Sequence, residues 1–131
     1  MISVQLGQLD QVETQAVLRP VRSDFLGLTG ASRRVETGAG KEVRARLDGM
    51  GDLPVGGAVV TPGGDPLTPF IIHAVLESPE ESMSLMGTRR AIMNGLRRAR
   101  EWEMASLSLP PLGLGVGARV TCPQVGYHSL C

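Results

Sequence analysis

The chain has 131 residues, which suits one domain with one hydrophobic core. Its 13 Lys and Arg residues balance 13 Asp and Glu residues, so no net charge attracts nucleic acid or an anionic membrane. Aromatic residues make up only 3% of the chain, which argues further against nucleic-acid binding by base stacking.

The sequence shows no clear motif for metal binding, secretion or membrane insertion. Cys122 and Cys131 have no histidines nearby at zinc-binding spacing, which argues against a metal site. The opening residues lack the basic and apolar segments of a signal peptide, and no apolar run is long enough to span a bilayer. We therefore expect a cytoplasmic protein with no metal, no cofactor and no membrane partner.

The first half of the chain predicts two strands and a helix. Residues 2–6 (ISVQL) alternate in polarity, and 15–21 (QAVLRPV) form a second apolar run. Pro20 lacks a backbone N–H, so the end of this second strand should lie at an edge or leave the sheet. Residues 32–47 have helical periodicity, and the glycines within 38–40 predict a break or bend there.

The second half predicts two strands (57–63 and 69–75), a long helix (83–104) and a further strand (105–110). The resulting order, ββαββαβ, is typical of an α/β protein with helices on the faces of a mixed sheet.

The long helix has the clearest periodicity. Its buried stripe is predicted to contain Leu85, Ile92, Leu96 and Ala99. Four methionines are interpreted as core filler, namely Met83, Met86, Met93 and Met104. Its five arginines (89, 90, 97, 98 and 100) are predicted to form a solvated face, with Glu101 and Glu103 offsetting their charge.

A glycine-rich stretch, PLGLGVG (111–117), follows the last predicted strand. Gly113, Gly115 and Gly117 would let backbone N–H groups approach a phosphate closely, although a tight turn would also explain them. The spacing fits neither a Walker A loop nor a dinucleotide-binding fingerprint. The glycines alone therefore leave both interpretations open.

Neighbouring motifs extend this pattern. The strings 54–75 and 105–117, together with the opening 4–18, resemble a macro domain, and the resemblance covers residues 1–117. The residues that match family motifs are Pro54, Val55, Gly56, Ala58, Thr61, Gly63, Ile72, His73, Val75, Pro110, Leu112, Gly115 and Gly117.

The resemblance implies a three-layer α/β/α fold with a mixed central sheet. It also implies binding of ADP-ribose or a related nucleotide diphosphate, free or on an ADP-ribosylated protein. The implied ligand-binding residues are Gln8, Leu9, Arg22, Gly30, Ala31, Ser32, Leu112, Gly113, Leu114, Gly115, Val116 and Gly117. His73, within an apolar strand, is interpreted as a core histidine.

Three departures from the family pattern bear on function. Gly7-Gln8-Leu9 stands where the family has an adenine-reading Asp, and Thr29-Gly30-Ala31-Ser32 retains one glycine of the first phosphate loop. Arg19-Pro20-Val21-Arg22 replaces the family's Asn-Ala-Ala-Asn. Arg19 and Arg22 would either lie on the surface or enter the cleft, where they would pair with a phosphate or block the ribose site.

Residues 118–131 form an atypical tail, too short for the helix and strand that end a macro domain. Either another chain completes the sheet, or a short strand near 125–130 does so. An unpaired sheet edge would favour association, so we expect a homo-oligomer.

Binding is favoured over catalysis, because the family's Asn-Ala-Ala-Asn residues are replaced and no catalytic set of side chains emerges. An ADP-ribosyl hydrolase or ADP-ribose-1″-phosphate phosphatase is one alternative. A degenerate macro domain acting as an interaction or assembly module is the other.

Overall fold

The computed structural model describes residues 4–7, 14–65, 68–109 and 117–121. Strands and helices are interspersed along them, as in an α/β protein. In order, the elements are β1 (Val4–Gly7), β2 (Ala16–Arg22), α1 (Gly30–Ala39), α2 (Lys41–Met50), β3 (Ala58–Asp65), β4 (Thr68–Glu77), α3 (Leu85–Glu101), β5 (Ser106–Leu109) and β6 (Gly117–Thr121).

The strands of these described residues form one sheet in the order β1-β6-β5-β2-β4-β3. β2 is parallel to β4 and β5, whereas β3, β6 and β1 pair antiparallel to their neighbours. The mixed sheet is therefore confirmed. Two antiparallel steps separate β1 from β5, so β1, β5, β2 and β4 run the same way. We call the edge where these four strands end the carboxyl edge.

Helices cover both faces of the sheet, which confirms the three-layer arrangement. On one face, α1 and α2 pack against β2, β3 and β4. The apolar core there contains Val17, Val21, Phe25, Ala31, Val35, Ala39, Val43, Leu47, Val55, Ile71 and Val75. On the other face, α3 closes a second core of Ala16, Leu18, Ala58, Ile72, Ala74, Leu76, Ala91, Leu96, Ala99, Met104 and Leu107.

The helical segment predicted at 32–47 is two helices, as its glycines indicated. α1 ends at Ala39 and α2 begins at Lys41, with Gly40 between them at φ +86°. This left-handed conformation suits glycine and ends the first helix. The predicted break is therefore confirmed at Gly40.

Pro20 lies in the central strand β2. Among the described residues, the pairing of β2 with β5 ends before Pro20. The β2 residues paired with β5 are Ala16 and Val17. The Pro20 carbonyl instead accepts from the Leu28 N–H at 3.1 Å and the Ser32 hydroxyl at 2.9 Å. Because a strand residue's N–H and C=O point to the same side, the missing N–H breaks no bond to β4. Among the described residues, the end of β2 therefore stays paired with β4 on one side and is bordered on the other by the loop residues Gly27 and Leu28.

The predicted buried stripe of α3 is partly wrong. Leu96, Ala99 and Met104 are buried, but Leu85 is 84% exposed. Met83, Met86 and Met93 are exposed as well, so three of the four methionines are not core filler. The physical reason is a line of small residues, Gly87, Ala91, Gly95 and Ala99, through which the helix packs on the sheet.

Close packing along this line is clearest at Gly95. A Cβ there would lie 2.5 Å from Leu18 Cδ1. The helix axis is therefore held near the sheet by residues without bulk, and Leu85, Met86 and Met93 are left exposed.

Candidate functional site

Strands β1 and β6, which adjoin two of the segments that the resemblance implicates, pair at the carboxyl edge. β1 ends at Gly7, directly before Gln8 and Leu9 in the chain, and Gly7 pairs with Gly117 at the start of β6. Gly117 therefore belongs to a strand. Gln8, Leu9 and residues 112–116 lie outside the described residues.

The other half of the candidate site follows β2. That strand ends at Arg22, and the chain then forms a loop and enters α1 at Gly30. In an open α/β sheet, ligands bind outside the carboxyl ends of the parallel strands. Both halves of the predicted site are thus attached to the same edge of the sheet.

The first turn of α1 begins with backbone donors that have no acceptor within the helix. Thr29 caps the helix, its Oγ1 accepting from the Ser32 N–H at 3.0 Å, and its carbonyl accepts from the Arg33 N–H at 3.0 Å. The Gly30 and Ala31 N–H groups, also in the first turn, have no acceptor within the helix. They form the positive end of the helix dipole, which favours an anion.

Ser32 fastens this helix start to β2. Its side chain is buried and donates to the Pro20 carbonyl, while its own carbonyl accepts from Arg19 Nη1 at 3.2 Å. Neither its hydroxyl nor its N–H remains unbonded. Ser32 therefore holds the first turn of α1 in position.

Arg19 lies in neither of the two predicted positions, the protein surface or the ligand cleft. It is fully buried on the helix face of β2, because Val17, Arg19 and Val21 alternate onto that face. Its guanidinium donates to the Phe25 and Ser32 carbonyls and lies 3.8 Å from Glu36 Oε2. Arg19 is neither a surface residue nor a cleft residue.

The charge of Arg19 persists despite its burial. Removal from water lowers its pKa to about 10, with Arg44 acting in the same direction and Glu36 opposing both. The side chain therefore remains a cation at neutral pH, and its strong charge-assisted donors stay available to the carbonyls around it.

Arg44 of α2 fixes the same loop from outside. Its Nη2 donates to the Asp24 carbonyl at 3.0 Å and to Asp48 Oδ1 at 2.7 Å, and its Nη1 donates to Glu36 Oε1 at 2.8 Å. Phe25 is buried at φ +68°, a conformation uncommon for a residue with a side chain. Two arginines thus secure the turn that leads from β2 to α1.

A cavity of about 340 Å³ opens beside this turn. It is lined by Arg22, Leu26, Gly27, Leu28, Arg33, Glu36 and Glu77. Arg22 and Arg33 are exposed cations there. A Cβ on Gly27 would lie 2.8 Å from Ser32 Oγ, so glycine permits the loop to approach α1. Gly27 was not among the predicted site residues, although it lies shortly before the predicted helix.

His73 is a core histidine, as predicted. Its Nε2 is hydrogen-bonded to Thr61 Oγ1 at 2.8 Å, and its ring meets the edge of Phe25. Nδ1 is buried with no hydrogen-bond partner in the described part of the chain. Burial holds the pKa of His73 well below 6.5, and the nearby Arg19 and Arg44 charges lower it further.

This depressed pKa predicts loss of stability in mild acid. Below pH 6.5 the unfolded chain protonates His73 before the folded protein does, so the free energy of unfolding decreases as pH falls. The slope from this group is about 1.4 kcal/mol per pH unit. Urea denaturation of the wild type and of His73→Gln between pH 7 and pH 5 isolates the contribution. Parallel profiles of the two proteins would show that His73 does not titrate in this way.

Comparisons with known proteins give the family. The family model for the macro domain matches residues 20–120. An uncharacterized protein of Aeropyrum pernix is 31% identical over 118 residues, covering 89% of this chain and 62% of that protein. A macro domain-containing protein of Cupriavidus necator is 27% identical over 128 residues, covering 89% of this chain and 71% of that protein.

Solved structures agree on the fold. The macrodomain of Mycobacterium tuberculosis DarG has a TM-score of 0.70 at 21% identity, covering 83% of this chain and 74% of that one. An Oceanobacillus iheyensis macrodomain with ADP has a TM-score of 0.67 at 17% identity, covering 82% and 67%. A mutant of the Oceanobacillus iheyensis macrodomain with ADPR has a TM-score of 0.66 at 21% identity, covering 77% and 59%.

The chain belongs to the macro domain family, which is known for ADP-ribose binding. It spans 62% of the Aeropyrum pernix relative and 65% of a relative from Sulfurisphaera tokodaii, which is less than two thirds of either length. No helix among the described residues is long and apolar enough to cross a membrane.

Proposed function

We propose that this macro domain binds ADP-ribose, or a closely related nucleotide diphosphate, at the carboxyl edge of its sheet. The diphosphate lies against the first turn of α1 and the glycine-rich stretch 112–117. Gln8 and Leu9 contact the adenine, and Arg22 lies near the distal ribose. The natural form of the ligand is the free nucleotide or an ADP-ribosylated protein in the cytoplasm.

One observation carries this proposal. The backbone pairing of Gly7 with Gly117 places the end of β1 beside the start of β6, at the edge where β2 leads into α1. Three chain segments far apart in sequence therefore share one edge. The N–H groups of Gly30 and Ala31, which have no acceptor within α1, add the partial positive charge that favours a diphosphate.

Binding without turnover is the activity we favour. Arg22 stands where the family motif has its second Asn, and its side chain is an exposed cation beside the cavity. A guanidinium can pair with a phosphate but cannot replace an amide as a neutral hydrogen-bond donor and acceptor to the ribose.

Calorimetric titration with ADP-ribose tests this function, with AMP and ribose-5-phosphate as matched partial ligands. We expect micromolar affinity for ADP-ribose and at least about tenfold weaker binding of either half, because each lacks part of the contacts. Absence of heat and of any thermal shift with ADP-ribose would refute the proposal. Release of ADP-ribose from a modified protein substrate would instead favour the hydrolase alternative.

A further inference from the structure

α3 presents a solvent face that the sheet does not use. The small residues that pack on the sheet leave the opposite side of the helix exposed. We call this side the outer face of α3, and it consists of Leu85, Met86, Arg89, Met93, Arg97 and Arg100. Leu85 and Met86 are 84% and 68% exposed, and Met93 is 38% exposed. Exposed apolar side chains grouped on one helix face are a feature of interaction surfaces.

The same face carries unbalanced positive charge. No Asp or Glu occurs between positions 82 and 100. Arg90 pairs with Glu81 at 2.7 Å and Arg98 with Glu101 at 2.8 Å. Arg89, Arg97 and Arg100 have no acidic partner among the described residues. The prediction that Glu101 and Glu103 would offset the arginine cluster is therefore wrong for these three cations.

The two kinds of side chain form one strip. Positions 86, 89, 93, 97 and 100 recur at spacings of three and four, so they lie along one side of the helix. The strip is about 21 Å long at 1.5 Å per residue. Methionines lie along its middle with arginines on either side, so apolar and cationic contacts are offered together.

We infer that the outer face of α3 binds an acidic, amphipathic helical segment of a partner protein. The partner's apolar residues would lie on Met86 and Met93, and its carboxylates would pair with Arg89, Arg97 and Arg100. Methionine surfaces adapt to varied apolar side chains, and arginine forms bidentate pairs with carboxylates. The inference does not depend on ADP-ribose binding, which uses the carboxyl edge.

Other occupants fit this face less well. Two copies packed through it would oppose arginines with arginines, which costs free energy. A nucleic acid would use the arginines but gain nothing from exposed methionine and leucine. A membrane-surface helix would need a wider apolar face than one line of methionines between arginines.

The test uses the full chain and three fluorescent probes at physiological salt. They are a helical peptide of about five turns with leucine on one face and glutamate beside it, a single-stranded RNA, and vesicles containing an anionic lipid. The variant Arg97→Glu/Arg100→Glu reverses charge on the strip, and Met86→Ser/Met93→Ser removes its apolar part. Arg46→Glu is the matched control, an exposed arginine on α2.

We expect micromolar peptide binding that weakens at least about tenfold in each strip variant and not in the control. The affinity should also fall with added salt, and circular dichroism should show all variants folded. Absence of peptide binding, equal binding by the strip variants and the control, or tighter binding of the RNA or the vesicles would overturn the inference. ADP-ribose titration of the same variants should be unchanged, which keeps the two sites distinct.

Discussion

Arg19→Ala is expected to lower the free energy of unfolding by about 3–5 kcal/mol, the range for breaking a buried charged network. The side chain donates to the carbonyls of Phe25 and Ser32, both attached to the turn between β2 and α1. Without it, the Ser32 carbonyl loses its bond from the guanidinium and the Phe25 carbonyl keeps only the longer 3.5 Å bond from Arg44 Nη1. These losses in a buried network are the costly part of the change. Urea denaturation followed by circular dichroism measures the effect.

Arg22→Ala is the matched control for this prediction. Arg22 lies three residues further along β2 but is exposed, so its truncation should change stability by no more than about 0.5 kcal/mol. If Arg19→Ala does not fold, Glu36→Gln tests the same network by removing the carboxylate that opposes the buried cation. Stability within about 1 kcal/mol of the wild type for Arg19→Ala would show that the turn does not depend on it.

Gly115→Val is expected to weaken ADP-ribose binding at least about a hundredfold, equivalent to about 2.7 kcal/mol. Alternating glycines at 113, 115 and 117 suit a backbone that approaches a diphosphate closely, and a β-branched side chain would obstruct that approach. Because the change concerns ligand access, the urea midpoint should remain near that of the wild type.

Gly49→Val separates this effect from a general cost of adding a side chain. Gly49 lies on α2, and a Cβ there would have no atom within 4 Å. Its binding of ADP-ribose should match the wild type. Equal affinity of Gly115→Val and Gly49→Val would remove the glycine-rich stretch from the site.

The order and type of most elements could be predicted because local patterns agree with tertiary structure. The apolar runs at 15–21 and 69–75 are paired neighbours, β2 and β4. The left-handed Gly40 ends α1 where the sequence indicated a break. The resemblance to the family then predicted the three-layer arrangement, which periodicity alone could not predict.

The errors arose where a tertiary contact overrides residue type. Arg19 was expected outside the core, but strand alternation puts it beside Val17 and Val21, and buried carbonyls and Glu36 compensate its charge. On α3, the series Gly87, Ala91, Gly95, Ala99 determines which side packs on the sheet, against the bulk of Leu85. In both cases the spacing of residues indicated the buried side correctly, whereas the hydrophobicity of the single residues indicated the opposite.

The candidate site could be predicted only in outline. Motifs indicated which segments to consider. The Thr29 cap and the hydrogen bonds that tie Ser32 to β2 became apparent only from the structure. Gly27 became apparent only from its closeness to Ser32. Such roles depend on contacts between side chains and backbone that no single-residue pattern encodes.

Backbone amide NMR during titration with ADP-ribose tests directly whether the ligand binds at the carboxyl edge, against the first turn of α1. Helices α1 and α2 lie on the same face of the sheet, and both begin with N–H groups that have no acceptor within the helix. The two helix starts therefore provide an internal comparison. We expect the Gly30 and Ala31 amide resonances to shift with saturation, while those of Lys41 and Glu42 at the start of α2 stay in place. Shifts confined to Lys41 and Glu42, or an unchanged spectrum at millimolar ADP-ribose, would show that ADP-ribose does not bind at the start of α1.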